Sequence, residues 1–370
     1  MDEYYMRIAL ALAEKGRGKV SPNPMVGAVI VKENRIIGSG YHMKYGEAHA
    51  EVNAFNAVTE DTKGSVLYVT LEPCSHYGKT PPCVDMIIEK GIKRVVIGAL
   101  DPNPLVAGKG IKKLIDSGIE VRVGTLEKEC REINKVFLKY IVEKKPYVIL
   151  KSAMTLDGKI ATASGESKWI TSKESRMAGH NLRNKYAAIM VGVNTIIADN
   201  PQLTCRIEGG KNPRRIIVDT RLRIPLDAYV VNDEYIYNTV IATTERADKN
   251  KLLKLKSMGI EILVCPVKQE KVDLQYLMKV LADLNIDSVL IEGGAELNFS
   301  SLQDNIVDEI NFFIAPKIIG GVNAKSAIGG EGVQRLIDTF KLENIQISMI
   351  EDDICLKGTV KRGEAKCLQE

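Results

Sequence analysis

Residues 73–83 read Pro-Cys-Ser-His-Tyr-Gly-Lys-Thr-Pro-Pro-Cys, and His49-Ala50-Glu51 precedes them in the chain. His49, Cys74 and Cys83 offer one imidazole and two thiolates, a ligand set that suits a tetrahedral zinc ion. Three protein ligands leave the fourth position for water, which is typical of catalytic rather than structural zinc. Glu51 places a carboxylate nearby that can move protons. The stretch therefore predicts a zinc site that activates water.

The local sequence predicts how these side chains meet. Residues two apart on a helix do not share a face, so we expect His49 at the start of a helix, from which it and Glu51 reach one pocket. Cys83 follows two prolines and precedes an apolar segment. This pattern predicts a helix N-terminus, where the helix dipole favours the thiolate.

Two other interpretations of the cluster remain open. His49, Cys74 and Cys83 are compatible with ordinary buried positions, or with a closed structural zinc site that has His76 as its fourth ligand. The carboxylate of Glu51 beside three ligands favours catalysis, because a structural site needs no proton carrier.

The first half of the chain alternates helical and strand patterns. We expect a helix at 2–15, a hairpin of strands 27–31 and 35–41 around Glu33-Asn34, and a helix from His49. Further expected elements are strands at 65–71, 94–100 and 120–123 and helices at 82–90, 110–117 and 126–143. Lys144-Lys145-Pro146 is the expected joint, because proline ends the preceding helix and starts an extended segment.

The second half contains short β-branched strands separated by helical segments, which predicts a largely parallel sheet with covering helices. The expected strands are 147–152, 187–193, 215–219, 239–242, 261–264 and 288–291. Residues 306–315 and 345–361 are expected to add antiparallel edge strands. With 370 residues the chain exceeds one hydrophobic core, so we predict two domains, 1–145 and 146–370.

The composition is that of an ordinary globular protein, with 45% hydrophobic and 26% charged residues. Apolar runs are too short to cross a bilayer, and the acidic start of the first helix does not fit a signal peptide, so we expect a cytoplasmic protein with no membrane partner. Seven scattered cysteines do not indicate a disulfide framework. Packing or surface roles are expected for His180, Cys130, Cys205, Cys265, Cys355 and Cys367.

The net charge of +4 and the 5% aromatic content are weak support for a polynucleotide surface. They are compatible with a small phosphorylated substrate, so no nucleic-acid partner is expected. A nucleic-acid-editing zinc deaminase with an accessory domain is the alternative enzyme. A binding protein with structural zinc, and a chain in which only one half is active, are two further alternatives.

Zinc nucleobase deaminases combine H-x-E with P-C-x-x-C. This chain matches the first element, but eight residues separate Cys74 from Cys83. The Pro-Cys-x-His-x-Gly-x-Thr-Pro-Pro-Cys stretch resembles the riboflavin-biosynthesis deaminases, and the resemblance extends over nearly the whole chain. It implies an α/β protein with an N-terminal cytidine-deaminase-like three-layer domain and a C-terminal dihydrofolate-reductase-like α/β domain.

The resemblance implies residue roles in the first half. His49, Cys74 and Cys83 would bind Zn²⁺, and Glu51 would be the catalytic acid and base. Contacts to the pyrimidine, ribose or phosphate would come from Asn23, His42, Lys79, Asp101 and Asn103. The implied reaction converts an amino-pyrimidinone into a pyrimidinedione with release of ammonia.

The second half resembles the same family's NADPH-dependent reductase through residues 151–159, 167–171 and 199–206. By that resemblance the NADPH site is lined by Ala153, Trp169, Thr171, Thr195, Asp199, Thr220, Gly294, Ala295, Glu296 and Leu297. The substrate would be held by Ser167, Arg183, Leu203, Arg206 and Glu292. Lys151 and Asp199 are the candidate catalytic residues of a hydride transfer that turns the ribosyl group into a ribityl chain.

Residue chemistry is compatible with these roles. Arg183 and Arg206 can clamp a phosphate bidentately, and Lys151 can orient or protonate the ribose end. Arg221 or Arg223, just after an expected strand, is a hypothetical partner of the NADPH 2′-phosphate. The family further implies a homo-oligomer.

Overall fold

The computed structural model describes residues 1–75, 81–103 and 108–361. The chain divides into two compact units, Met1–Lys145 and Pro146–Glu370. The division falls directly before Pro146, in the Lys144-Lys145-Pro146 segment. Along the described ranges, no helix combines the length and apolar character that a bilayer span requires.

The first unit alternates helices and strands. Its elements are α1 (Asp2–Ala13), β1 (Gly27–Lys32), β2 (Arg35–Tyr41), α2 (Ala50–Asn56), β3 (Val66–Leu71), α3 (Cys83–Glu89), β4 (Arg94–Ala99), α4 (Lys109–Asp116), β5 (Glu120–Val123), α5 (Glu127–Ile133) and α6 (Lys135–Glu143). In its described part the strands form one sheet in the order β2-β1-β3-β4-β5. β1 is antiparallel to β2 and β3, whereas β3, β4 and β5 are parallel.

Helices cover both faces of this sheet. One face packs against α2, α3 and α4 through Ala54, Val84 and Leu114. The other face packs against α1 and α5 through Met6 and Cys130. The unit is therefore a helix–sheet–helix sandwich with three layers.

The hairpin and the helix starts of the first unit agree with the sequence predictions. Glu33 and Asn34 have φ of 49° and 61°, as a type I′ turn between twisted strands requires. The long helix predicted over 126–143 is wrong, because α5 and α6 are separate and meet at Asn134. Asn134 is 2% exposed. Its amide bonds both the N–H and the carbonyl of Met25, a pairing that ends α5.

The second unit is built on a larger sheet. Its elements are β6 (Tyr147–Thr155), α7 (Lys173–Lys185), β7 (Ala188–Gly192), α8 (Val193–Asp199), β8 (Arg214–Val218), β9 (Thr239–Thr243), α9 (Lys249–Ser257), β10 (Glu261–Val264), β11 (Val267–Lys268), β12 (Lys271–Val272), α10 (Leu274–Asp283), β13 (Ser288–Ile291), α11 (Ala295–Gln303), β14 (Glu309–Ala315), β15 (Leu342–Ile350) and β16 (Asp353–Val360). Nine of the described strands form one sheet in the order β10-β9-β8-β7-β13-β6-β14-β16-β15.

The arrangement of this sheet confirms the predicted parallel core and the antiparallel edge strands predicted for 345–361. The antiparallel edge position predicted for 306–315 is wrong, because β14 lies inside the sheet and is parallel to β6. The helix α11 connects β13 to β14, and a helical crossover of this kind returns the chain as a parallel strand. In the sheet order, the seven strands from β10 through β6 to β14 are parallel to their neighbours. β16 pairs antiparallel with β14, and β15 pairs antiparallel with β16 at the edge. One face packs against α10 and α11, and the other against α8 and α9. Because β6, β7, β8 and β13 are parallel, the loops that follow them lie at one edge of the sheet, where α/β proteins bind ligands.

Candidate active sites

His49 and Glu51 lie at the start of α2, as the spacing predicted. His49 is the N-cap residue with extended backbone, at φ −69° and ψ 163°, so its side chain leaves the helix axis at a different angle from the helical residues. Glu51 follows in the first turn and is 3% exposed. The change from extended to helical backbone lets the imidazole and the carboxylate face the same buried pocket.

Cys74 and Cys83 reach that pocket from two other elements. Cys74 lies just after β3, and Cys83 is the first residue of α3, following Pro82 at its N-cap. The His49 Nδ1 atom lies 3.3 Å from the Cys83 Sγ and 3.6 Å from the Cys74 Sγ. The three ligand atoms all lie within 4.8 Å of one another.

These separations fit a zinc ion. With Zn–N of about 2.0 Å and Zn–S of about 2.3 Å, a tetrahedron places nitrogen and sulfur about 3.5 Å apart. Both observed N···S distances are close to that value. The Cys83 backbone N–H also donates to the Cys74 Sγ over 3.3 Å, which supports a thiolate there.

The pKa values of the titratable groups in this pocket are shifted from their ordinary values. The hydrogen bond from the Cys83 thiol, followed by that from His49, lowers the pKa of Cys74 to about 4 despite its burial. The hydrogen bond with Cys74 raises the pKa of His49. Burial, reinforced by Cys74, raises the pKa of Glu51. A carboxyl group with a raised pKa suits proton transfer near neutral pH.

Asn23 and His42 form a polar pair beside this pocket. The Asn23 Nδ2 and the His42 Nε2 lie 3.2 Å apart, and the His42 Nδ1 lies 3.0 Å from the Ala48 carbonyl. The rings of His42 and His49 meet edge to face with centroids 5.9 Å apart. Burial lowers the pKa of His42, so its neutral form is favoured as a hydrogen-bonding group.

Of the remaining predicted substrate contacts in the first unit, the structure describes Asp101 and Asn103 but not Lys79. Asp101 accepts a hydrogen bond from the Asn103 N–H over 2.8 Å, so the two residues form one turn after β4. Lys79, like His76 in the alternative structural-zinc interpretation, lies outside the described residues.

In the second unit, two predicted residues, Arg183 and Lys151, meet around the carboxylate of a third, Glu292. Glu292 follows β13, and its side chain is 9% exposed. It accepts hydrogen bonds from the Arg183 Nε over 2.7 Å and Nη2 over 2.9 Å. The Lys151 Nζ, on β6, lies 3.5 Å from the same carboxylate. Burial raises the pKa of Glu292, but Lys151 and Arg183 outweigh burial and hold it at about 2.

The predicted bidentate phosphate clamp at Arg183 differs from what the structure shows, because the Arg183 guanidinium already bonds Glu292. Its fork faces Glu292, and its Nη1 donates to the Thr204 carbonyl over 3.0 Å. Arg206 is exposed, and its backbone N–H donates to the His180 Nδ1 over 3.3 Å. Leu203 is buried with a φ of 56°. Segment 203–206 is thereby fixed to α7, and His180 holds it in place.

Gly293 and Gly294, after β13, leave the N-terminus of α11 free of side chains at these two positions. A Cβ on Gly293 would lie 2.8 Å from the Leu297 side chain, and one on Gly294 would lie 3.4 Å from the Thr195 Oγ1. Gly294 is the N-cap, and it provides no side-chain cap to the first turn, Ala295 to Leu297. N–H groups approached through small residues fit a phosphate group of a dinucleotide.

Other predicted NADPH contacts lie on the same sheet edge. Ala153 is near the end of β6, Thr195 is in α8 after β7, and Thr220 follows β8. Asp199 is the exposed last residue of α8, and no described residue bonds its carboxylate, so it does not join Lys151. Arg223 donates to the Asn194 Oδ1 over 2.6 Å. Arg221 is exposed.

Segment 167–172 carries the predicted Ser167, Trp169 and Thr171. Ser167 is half-buried, Thr171 is buried, and Trp169 is 63% exposed. The guanidinium of Arg176 lies over the Trp169 ring, 4.4 Å from its centroid. An exposed indole is therefore available beside the predicted cofactor residues.

Family models match both units. Residues 1–99 match the cytidine and deoxycytidylate deaminase zinc-binding region, and residues 146–356 match the RibD C-terminal domain. The riboflavin biosynthesis protein RibD of Actinobacillus pleuropneumoniae is 50% identical over 96% of this chain and 94% of its own length. This chain belongs to the RibD family.

Solved RibD structures share its architecture. The Acinetobacter baumannii RibD is 36% identical, with a TM-score of 0.86 over 97% of this chain and 99% of that chain. A Thermotoga maritima diaminohydroxyphosphoribosylaminopyrimidine deaminase/5-amino-6-(5-phosphoribosylamino)uracil reductase is 38% identical, with a TM-score of 0.85 over 97% and 99%. The cytidine-deaminase-like and reductase folds expected from the sequence are confirmed.

RibD family membership decides between the enzyme classes. The chain is a bifunctional deaminase and reductase of riboflavin biosynthesis that uses Zn²⁺ and NADPH and acts on a small phosphorylated pyrimidine. The nucleic-acid-editing alternative is not favoured, because RibD relatives match over both halves of the chain.

Several residues around the RibD sites have no sequence signal of their own. Glu72 is 4% exposed, and its Oε2 accepts from the Gly108 N–H over 3.1 Å, which ties the Cys74 loop to the start of α4. In α7, His180 contacts Arg206, 26 residues further along the chain, and Arg176 contacts Trp169, in the segment just before the helix. His180 was expected only to pack or face solvent, and only its tertiary contacts indicate a holding role. Of the cysteines with expected packing roles, Cys130, Cys265 and Cys355 are buried, Cys205 is half-buried, and Cys367 lies outside the described residues.

Proposed function

We propose that residues 1–145 deaminate 2,5-diamino-6-ribosylamino-4(3H)-pyrimidinone 5′-phosphate and that residues 146–370 reduce the ribosyl group of the product with NADPH. The observation that carries the proposal is the approach of the His49 Nδ1 to both cysteine sulfurs, with Glu51 buried beside them. The RibD C-terminal match over 146–356 supports the second assignment.

His49, Cys74 and Cys83 would hold the zinc ion, which when bound makes water a nucleophile near neutral pH. Glu51 takes a proton from that water and returns protons to the ring nitrogen and the departing amine. The first proton goes to the ring nitrogen, and the second, which the departing amine receives, comes from the hydroxyl group newly formed on the ring carbon. Ammonia would then leave, and a ring carbonyl would replace the amine. Burial of Glu51 keeps bulk water from competing for those protons.

Asn23 and His42 are proposed to orient the pyrimidine. The Ala48 carbonyl fixes the His42 ring through Nδ1, which leaves Nε2 directed at Asn23. An amide and a neutral imidazole supply both donors and acceptors for a base edge. Asp101 and Asn103, held as one turn, are proposed to contact the ribose or phosphate.

In the second unit the N-terminus of α11 is proposed to bind NADPH phosphate, with Ala153, Trp169, Thr171, Thr195, Asp199 and Thr220 along the same site. NADPH supplies the hydride for the first ribose carbon of the ring-opened imine. Lys151 is proposed to deliver the proton to the imine nitrogen, since Glu292 directs its ammonium. Asp199 is the other candidate donor. Ser167, Leu203 and Arg206 are proposed to hold the substrate with Arg183 and Glu292.

The test is a pair of assays on the purified full chain. With the diaminopyrimidine phosphate and NADPH present, we expect ammonia release followed by NADPH oxidation. A cytidine-containing oligonucleotide should release no ammonia. Ammonia from the oligonucleotide but not from the pyrimidine would contradict the proposed substrate, and ammonia without NADPH oxidation would mean that only the first half is active.

Self-association is proposed from the edge strand β15. Ile345, Ile347 and Met349 on this strand are 55%, 67% and 60% exposed, and β15 pairs only with β16 among the described strands. An open edge with exposed apolar side chains favours pairing with another chain. Light scattering should show an oligomer for the wild type and a smaller species for Ile347→Lys. A monomeric wild type would contradict this assignment.

A further inference from the structure

Trp169 is the single tryptophan of the chain and is unusually accessible for its size. It is 63% exposed, although the Arg176 guanidinium lies 4.4 Å from its ring centroid. A guanidinium over an indole face is attracted by the ring quadrupole. One face of the ring is therefore supported, while the residue keeps most of its surface available to a ligand.

Arg176 is itself fixed by the segment that it supports. Its Nη1 donates to the Thr171 carbonyl over 2.8 Å. Its backbone N–H donates to the Ser172 carbonyl over 3.2 Å, in the first turn of α7. The Ser172 hydroxyl caps this helix by accepting from the Ser175 N–H over 3.2 Å. Arg176 is therefore fixed through its backbone, in the capped first turn of α7, and through its guanidinium, which bonds the Thr171 carbonyl.

Two more residues, Lys317 and Asp353, fix the backbone from Trp169 to Ser172. The Lys317 Nζ donates to the Trp169 carbonyl over 3.0 Å and to the Ile170 carbonyl over 2.7 Å. The buried Asp353 accepts from the Ser172 N–H over 2.7 Å. With this backbone held, rotation of the indole is the main remaining freedom of Trp169, and the Arg176 guanidinium limits it.

We propose that Arg176 is a positioning residue for the cofactor, holding the exposed indole of Trp169 in the orientation that stacks against a flat ring of NADPH. The inference rests on the proposed NADPH role of Trp169. An indole that is already oriented loses less rotational freedom on binding, so cofactor affinity rises without any direct contact from Arg176. The planar guanidinium matters as well as its charge, because a lysine ammonium does not stack on an aromatic face in the same way.

The experiment uses Trp169 fluorescence, excited selectively over the tyrosines, in the full-length wild type, Arg176→Lys and Arg176→Met. Without cofactor, both variants should show a shifted emission maximum and stronger quenching by acrylamide. NADPH titration should give a Kd raised about three- to tenfold in Arg176→Met and by less in Arg176→Lys, with little dependence on salt. The rate of NADPH oxidation at saturating NADPH should stay unchanged.

Lys185→Met is the matched control. Lys185 closes the same helix and lies over the Tyr186 ring, 5.1 Å from its centroid, so this variant removes a similar contact away from Trp169. It should leave both the emission and the NADPH affinity at wild-type values. Melting temperatures of all variants show whether a change comes from unfolding.

Two results would overturn the inference. If the NADPH Kd rises while the Trp169 emission and quenching stay at wild-type values, Arg176 binds the cofactor directly. If the emission changes but the Kd does not, the orientation of Trp169 has no role in binding. Failure of the proposed function is distinct, because the wild type itself would then not oxidise NADPH with the deaminated pyrimidine.

Discussion

Glu51 is the residue on which proton transfer in the deaminase depends. It is buried within the zinc-ligand pocket but is not one of the three ligands, so its loss should separate chemistry from metal binding. For Glu51→Gln we expect ammonia release to fall about 10²–10⁴-fold with zinc content retained. Metal analysis and an ammonia assay on one sample test this. Wild-type ammonia release would contradict the role.

Glu292 balances two cations in the second unit. Its pKa of about 2 lies below the about 4.3 of an unfolded chain, so its charge stabilises the fold above that range. This contribution is lost as pH falls from about 4.3 toward 2. Glu292→Gln should cost about 3 kcal/mol at neutral pH, with the difference shrinking near pH 3. Urea unfolding followed by Trp169 emission measures it.

Asp338→Asn is the control for Glu292→Gln. It breaks the Arg335 ion pair, in which the side chains are 66% and 40% exposed, and such exposed pairs contribute less than about 1 kcal/mol. An equal cost in both variants would show that the Glu292 cluster is no stronger than a surface pair.

At the residue scale, sequence was informative where chemistry is encoded in a short stretch. The His49-Ala50-Glu51 spacing and the prolines before Cys83 predicted the local backbone that the structure shows. The commitment of Arg183 to Glu292 was not predictable, because 109 residues separate the two and only the sheet brings them together. Arg176 is close in sequence to Trp169, but its position over the indole depends on the backbone path between the two residues, which no motif in this segment indicates.

At the scale of single elements, most strands agreed to within a few residues, because buried β-branched runs and turn residues are local signals. The break between α5 and α6 was missed because its cause is tertiary. Asn134 stops the helix by bonding Met25, 109 residues away. Asparagine is a poor helix former and a favoured capping residue, but a single asparagine among helix formers is too weak a signal to distinguish a divided helix from a continuous one.

Asn134→Ala tests this element. Two partly buried hydrogen bonds to the Met25 backbone are lost, so we expect a cost of about 1–3 kcal/mol in unfolding free energy. Because Met25 follows the Asn23 turn, the deaminase KM should also rise. The exposed Asn56→Ala should cost less than about 0.5 kcal/mol. Equal stability of the two variants would show that the Met25 contact is not what holds the break.

At the scale of the whole molecule, the two units carry separate chemistries, and the product of the deaminase is the substrate proposed for the reductase. The division before Pro146 follows from a helix end and a proline, and the parallel core follows from short β-branched strands. The inserted position of β13 between β7 and β6 could not be read from the sequence, because strand order depends on long-range pairing. That insertion is what brings Glu292 beside Lys151.

Zinc removal from the full chain tests the three-ligand centre most directly. Protein stripped by a chelator should release no ammonia from the diaminopyrimidine phosphate, yet should oxidise NADPH at the untreated rate when given the deaminated product. Restoring Zn²⁺ should return ammonia release. Continued ammonia release from protein shown to lack metal would contradict a hydrolysis that depends on His49, Cys74 and Cys83.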